Sequence, residues 1–238
     1  MVRLYSEWMV AETPSAPGVG PYSGIKNNAV IASTVARKRN TNVDIDTPLR
    51  DLGDVPMQSL KEAIESLERI AWLDNQQRQQ EYDVHRRTES VVMIFTSGDG
   101  WPDIKVTREA GWDLLHEAAV PLMMEVISQH YPVGGTIIRA MAAKLLPGEV
   151  ITPHRDAHPS FHNSHRIHIP IKTNARVRFM IDGQPHKLEI GKAYEINNQK
   201  THSVMNKGKE ERINFIFDYV PPDLIAPETR TSQEQAKA

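Results

Sequence analysis

Cysteine is absent from the chain. Disulfide staples, thiolate metal sites and cysteine nucleophiles are therefore excluded, and a reducing compartment is compatible. A dominant charge is also missing: 28 Lys and Arg against 30 Asp and Glu leave a formal net charge of −2. A dedicated nucleic-acid or anionic-membrane binder would be basic, so nucleic acid is not an expected partner. No apolar run approaches the roughly 20 residues that span a bilayer. Met1–Val10 has neither a continuous apolar core nor a small-residue cleavage site. The expectation is a cytoplasmic protein without a membrane partner. Internal repeats and low-complexity tracts are also lacking.

What is present suffices for one large domain: 238 residues, 39% of them hydrophobic. Residues 11–48 are rich in Pro, Gly, Asn, Thr and Ser, so 1–48 reads as a loop-rich arm. A helix is expected from about Pro56 to Gln80, capped by Asp54, with Leu60, Ile64, Leu67 and Ala71 at helical spacing. Val91–Thr96 reads as a buried strand before the turn at 97–100. A second helix is expected over 109–130, with Leu114, Leu115, Ala118, Leu122, Met123 and Val126 as its stripe.

From Thr136 the texture becomes β-rich: short runs at 136–146, 149–154, 166–171, 176–181, 186–190, 193–196, 202–206 and 212–219 alternate with turn signals. That spacing suggests a sandwich or a double-sheet jelly roll within an α+β domain. The domain is expected over 49–222, its β core over about 136–222, and 223–238 reads as a polar, disordered tail.

His154-Arg155-Asp156, then His202 and Arg212, is the most informative pattern. On an extended strand, positions i and i+2 share a face. His154 and Asp156 can thus present a nitrogen and an oxygen together, and His202 can close the site from a neighbouring strand. Two imidazoles and one carboxylate suit a non-haem Fe(II) with open positions. Alone the motif is weak. Five histidines fall between His154 and His168, and a His-rich surface loop reads the same way. His158, His162 and His165 are taken as loop residues over the cleft.

Two strands carry polar residues on one face. Arg166 and His168 oppose Ile167, Ile169 and Ile171; Arg212 and Asn214 oppose Ile213, Phe215, Phe217 and Tyr219. Either these polar faces are solvated, as in any half-exposed sheet, or they line a site around the metal.

Taken together, these residues resemble the aspartyl/asparaginyl β-hydroxylase-like branch of the Fe(II)/2-oxoglutarate-dependent dioxygenases. The matching positions are Leu146-Pro147-Gly148, His154-Arg155-Asp156, residues 163–168 and 191–197, His202 to Asn206, and Arg212 through Asp218-Tyr219. Trp72 and residues 84–88 look like the upstream part of the same pattern. The resemblance implies a cupin-like double-stranded β-helix (jelly roll) with supporting N-terminal helices. His154, Asp156 and His202 would ligate iron, and Arg212 would hold the distal carboxylate of 2-oxoglutarate with its planar fork. Arg166 and His168 match positions that help bind that co-substrate.

The membrane-anchored enzyme that names the family lacks a carboxylate at the position of Asp156, and iron halogenases need that position vacant. Asp156 therefore favours hydroxylation. The resemblance does not extend to the membrane anchor and helical repeats of the namesake, so a secretory-pathway role is not expected. The implied reaction consumes O2 and 2-oxoglutarate and hydroxylates an unactivated C–H of an amino acid, or of an Asp or Asn side chain in a peptide or protein. Trp101, His85, Arg87 and Arg139 are candidate substrate contacts. The alternative is a non-catalytic cupin-like metal- or acid-binding protein, or a structural jelly roll.

Overall fold

The computed structural model describes residues 43, 45–73, 88–98 and 100–225. Its strands are β1 (Leu49–Asp54), β2 (Thr88–Ser97), β3 (Lys105–Arg108), β4 (Thr136–Leu145), β5 (Val150–His154), β6 (His165–Lys172), β7 (Val177–Ile181), β8 (Gln184–His186), β9 (Lys192–Ile196), β10 (His202–Asn206) and β11 (Arg212–Val220). The helices are α1 (Gln58–Glu65), α2 (Arg69–Leu73) and α3 (Gly111–His130).

Two antiparallel sheets result. The larger has the order β1-β9-β6-β11-β4-β2-β3, the smaller β5-β10-β7-β8. From β4 onward the chain visits them in turn: β4, β6, β9 and β11 lie in the larger, β5, β7, β8 and β10 in the smaller. The Asp182-Gly183 turn between β7 and β8 needs positive φ at both residues, and has 53° and 77°. That is the twist a two-residue hairpin requires.

The alternation along β11 and β6 decides the layering. Ile213, Phe215, Phe217 and Tyr219 join Ile167, Ile169 and Ile171 in a core with Leu60 and Ile64 of α1 and Leu115 and Met123 of α3. Burying each such side chain stabilises the fold by roughly 1.5–3 kcal/mol. Gly111 lets α3 begin hard against β2, since a Cβ there would lie 2.4 Å from the Val92 carbonyl oxygen. On the other face of the larger sheet, Leu145, Tyr194 and Ile196 pack against Phe179, Ile181 and Val204 of the smaller one. Helices, larger sheet and smaller sheet thus form three layers. No described helix is long and apolar enough to cross a membrane.

The structure departs from the sequence reading in several places. The first helix divides into α1 and α2, because Ser66 turns its hydroxyl back onto the Ala63 carbonyl at 2.8 Å and competes with the helical ladder. Its expected end, 74–80, lies outside the described residues, as do most of the arm, the tail from 226, His85 and Arg87. Asp54 is the last residue of β1 and caps nothing; Met57 occupies the N-cap, without a side-chain bond. The run 186–190 is strand only as far as His186, because the tight turn starts the return strand at Gln184. Leu114 is 48% exposed, outside the buried stripe. β1 and β3 were not anticipated: both are edge strands, which bury one flank and carry a weak hydrophobic signal.

Candidate metal centre

His154 ends β5 and faces His202, the first residue of β10, across an antiparallel pair. Their ring centroids are 4.3 Å apart. Asp156 lies beyond the strand end, where its N–H donates to the Asn198 carbonyl at 3.2 Å; a continuous strand through 156 is not what places it. The potential ligand atoms of His154, Asp156 and His202 all lie within 4.8 Å of one another.

Backbone carbonyls set both tautomers. His154 Nδ1 donates to the Thr152 carbonyl at 2.7 Å, and His202 Nδ1 donates to that of Lys200 at 3.0 Å. A carbonyl only accepts, so Nδ1 carries the proton and Nε2 the lone pair a metal needs. His154 Nε2 stands 3.9 Å from Asp156 Oδ1. Burial pushes the His202 imidazole below its ordinary value, against the pull of Asp156, which favours the neutral, ligating form.

Behind Asp156 lies a buried charge cluster. Arg166 Nη1 donates to Asp156 Oδ2 at 2.7 Å, while Nε and Nη2 donate to Asp218 Oδ1 and Oδ2 at 2.8 and 2.9 Å. One carboxylate oxygen of Asp156 is thereby held and the other left toward the histidines. Burial opposes the Asp156 charge, but Arg166, aided by His202, His154 and Arg139, outweighs it and lowers the pKa. Arg139 approaches Asp218 Oδ2 at 3.4 Å. The Phe161 ring lies 4.2 Å from the Arg139 guanidinium and 4.4 Å from that of Arg166.

The polar faces of β6 and β11 point between the sheets, and they are buried: Arg212 is 5% exposed and Asn214 0%. Both line a cavity of about 630 Å³, with Pro170, Phe179 and Leu188 among its walls. Arg212 forms no ion pair among the described residues, and burial alone lowers its pKa to about 10. His168 is held neutral by burial first, then by the charges of Arg166, Arg212 and His202. Asn214 Nδ2 donates to His168 Nδ1 at 2.8 Å, so Nε2 carries the hydrogen. That atom is buried without a partner among the described residues.

The remaining candidates separate. Arg155 turns outward to Thr201 Oγ1 at 3.1 Å. His158 bonds Ser160 and the Gly98 carbonyl, 2.7 Å each. His162 closes the short 3-10 turn Pro159–His162. His165 begins β6 instead of lying in a loop, and pairs with Glu195. Trp101 packs beside Ile138, Val220 and Ile225. The described end of the arm reaches the site: Val43 N–H donates to the His162 carbonyl at 2.7 Å, and Gln199 Nε2 to the Val43 carbonyl at 2.8 Å. Asp218 and Phe161 were missed as site residues. Extending the β11 alternation two steps beyond Ile216 would have put Asp218 on the face of Arg212 and Asn214; nothing local marks Phe161.

Solved structures that resemble the chain include a 2OG-Fe(II) oxygenase family oxidoreductase from Burkholderia pseudomallei, with 12% identity, TM-score 0.43, and coverage of 56% of this chain and 67% of that one. A viral collagen prolyl hydroxylase from Paramecium Bursaria Chlorella virus-1, solved as a 2OG complex, shares 11% identity and TM-score 0.43 over 74% of this chain and 97% of that one. A non-heme monooxygenase solved with nickel shares 11% identity and TM-score 0.44 over 77% and 75%. No curated protein matches the sequence. The family model described as aspartyl/asparaginyl beta-hydroxylase matches residues 58–222. The chain belongs to the aspartyl/asparaginyl beta-hydroxylase family.

Proposed function

We propose that this chain is an Fe(II)- and 2-oxoglutarate-dependent dioxygenase that hydroxylates an unactivated C–H of an amino acid, or of an aspartyl or asparaginyl side chain in a peptide or protein. One observation carries the reading. Three ligand-type groups converge within 4.8 Å, and a buried guanidinium, Arg212, which forms no ion pair among the described residues, acts with His202 on the same buried imidazole, His168. A buried unpaired cation is costly; an anionic co-substrate would repay it.

The residues fit both groups. His154 Nε2, His202 Nε2 and one oxygen of Asp156 would hold the metal, and imidazole with carboxylate suits Fe(II) that must keep open positions. Arg212 would clamp the distal carboxylate of 2-oxoglutarate through its fork, and His168 Nε2–H would donate to the same acid. The two sheets, visited alternately by the chain, support a cupin-like double-stranded β-helix. When bound, iron and 2-oxoglutarate supply the oxidising chemistry: O2 is consumed, 2-oxoglutarate becomes succinate and carbon dioxide, and a substrate C–H becomes C–OH. The chain's own part is orientation. Arg166 fixes Asp156, the Thr152 and Lys200 carbonyls fix the imidazoles, and the sheets screen the crevice from water.

Adding Fe(II) and 2-oxoglutarate to anaerobic protein tests this reading. The expected result is a visible charge-transfer band, followed by succinate on admitting O2 and substrate. No band and no retained iron would overturn it. A band that never leads to succinate would favour a non-catalytic acid-binding protein.

A further inference from the structure

Arg139, Asp218 and Arg166 stand side by side on β4, β11 and β6, in direct register. Side chains at directly paired positions share a face, so all three point into the crevice. Their bonding is unequal. Arg166 takes both oxygens of Asp218 at 2.8 and 2.9 Å. Arg139 has a single contact with that carboxylate, at 3.4 Å, longer than an ordinary N–H···O bond of about 2.7–3.2 Å. Among the described residues the Arg139 guanidinium has no other hydrogen bond, although it offers five N–H groups. It is no surface residue, being 5% exposed. Its side chain keeps 7% of its accessible surface, so it is not sealed completely.

The Phe161 ring lies against this guanidinium, its centroid 4.2 Å from Arg139 Cζ. An aromatic ring offers no strong acceptor to the five N–H groups, so those not turned to Asp218 remain for another acceptor. The same ring lies 4.4 Å from the Arg166 guanidinium, which bonds Asp156, so Arg139 belongs to the metal end of the crevice; it does not line the Arg212 cavity. Charge argues the same way. Arg139 and Arg166 balance Asp218 and Asp156. A dication with one chelating carboxylate of the co-substrate adds one net positive charge there, which an anionic substrate would offset.

We infer that Arg139 anchors a carboxylate of the substrate that is hydroxylated. The inference rests on the hydroxylase reading and narrows it: the substrate carries a carboxylate close to the reacting carbon. Either the α-carboxylate of a free amino acid or the side chain of an aspartyl residue supplies that chemistry.

Two probe sets separate the sources: free L-amino acids against their α-carboxamides, and blocked aspartyl peptides against their asparaginyl counterparts. Each is titrated into the full chain with Fe(II) and 2-oxoglutarate, anaerobically, by perturbation of the visible band; succinate is then measured in air. In the unsubstituted protein, the carboxylate members of one set should bind on the order of 100-fold more tightly than the amides. Arg139→Gln should reduce that preference to about 3-fold or less, and Arg139→Lys, which keeps the charge but not the fork, should retain part of it. The band in each variant reports whether it still assembles the chelate. A merely structural Arg139 would weaken carboxylate and amide equally. The inference is overturned if the preference survives in Arg139→Gln, or in full in Arg139→Lys should the Gln variant fail to fold. It is overturned too if the unsubstituted protein binds acid and amide alike, or if no compound of either set perturbs the band. A missing band in the unsubstituted protein instead overturns the hydroxylase reading itself.

Discussion

Arg166 and Asp218 form a two-pronged ion pair inside the crevice, at 2.8 and 2.9 Å, and the third nitrogen of the same guanidinium reaches Asp156 at 2.7 Å. The pair does not reach the surface: Asp218 is 0% exposed and Arg166 9%. Burial works against the Arg166 charge, but Asp156 and Asp218 overcome it and raise the pKa. A fork held on two sides cannot swing, so the position of Asp156 is inherited from Asp218, a residue that is not itself in the triad.

Asp218→Ala should therefore act twice. Leaving Arg166 half-paired is expected to cost roughly 3–5 kcal/mol in urea unfolding. Iron affinity should fall on the order of 10- to 100-fold through the loosened Asp156. An unfolding midpoint and an iron titration both matching the unsubstituted protein would refute this coupling.

Asp156→Ala and His202→Ala should each abolish the Fe(II)–2-oxoglutarate band and succinate formation, because a triad has no spare ligand. Anaerobic spectra of both variants are the check. Near-normal turnover in both would remove the triad assignment.

Arg212→Ala is expected to weaken 2-oxoglutarate binding on the order of 100-fold while iron is still retained, since the substitution leaves the three ligand groups in place. Equilibrium titration of the co-substrate measures it. Unaltered affinity would show that Arg212 serves another anion.

Glu195 is a structural hub away from the metal. Its carboxylate, 1% exposed, accepts from His165 Nδ1 at 2.5 Å and from the Tyr131 hydroxyl and Arg50 Nη1, each at 3.0 Å. It joins β9 to β6, to the chain just past α3 and to β1. Glu195→Ala should cost roughly 3 kcal/mol and Tyr131→Phe about 1 kcal/mol, both by urea unfolding. Equal, negligible losses would argue against a hub.

Acid should destabilise the metal-free protein through His168. Burial, then Arg166, Arg212 and His202, lowers its folded pKa well below 6.5. The unfolded chain takes up this proton below about 6.5 while the folded chain resists it. The contribution is thus present above that pH and lost as pH falls, by up to roughly 1.4 kcal/mol per pH unit for one proton. His168→Gln should flatten that part of the urea-stability profile between about pH 7 and pH 5. An unchanged slope would place the acid sensitivity elsewhere.

The β11 strand shows how far local pattern reaches. Ile213, Phe215, Phe217 and Tyr219 were legible as one apolar face, and they pack on the helices as period-two alternation demands. The same alternation left the opposite face open to two readings, and only the second sheet, folded over Arg212, Asn214 and Asp218, makes it an interior. His154-x-Asp156 was legible as well, but its geometry was not: the strand stops at His154 and a loop contact to Asn198 carries Asp156 into place.

From the sequence alone came the α+β pattern, most strand positions after Thr136, and the nomination of His154, Asp156, His202 and Arg212 as site residues. Hydrophobic period and residue chemistry are local properties, and a linear chain displays them. Tertiary structure alone decided that Arg166 belongs to Asp218 and Asp156, that Phe161 lies against the Arg139 guanidinium, and that Arg212 is buried without an ion pair among the described residues. The Asp218 contacts of Arg166 and Arg139 depend on which distant strand lies opposite, and strand pairing between residues about 50–80 apart is set by the packing of whole sheets, not by any single segment.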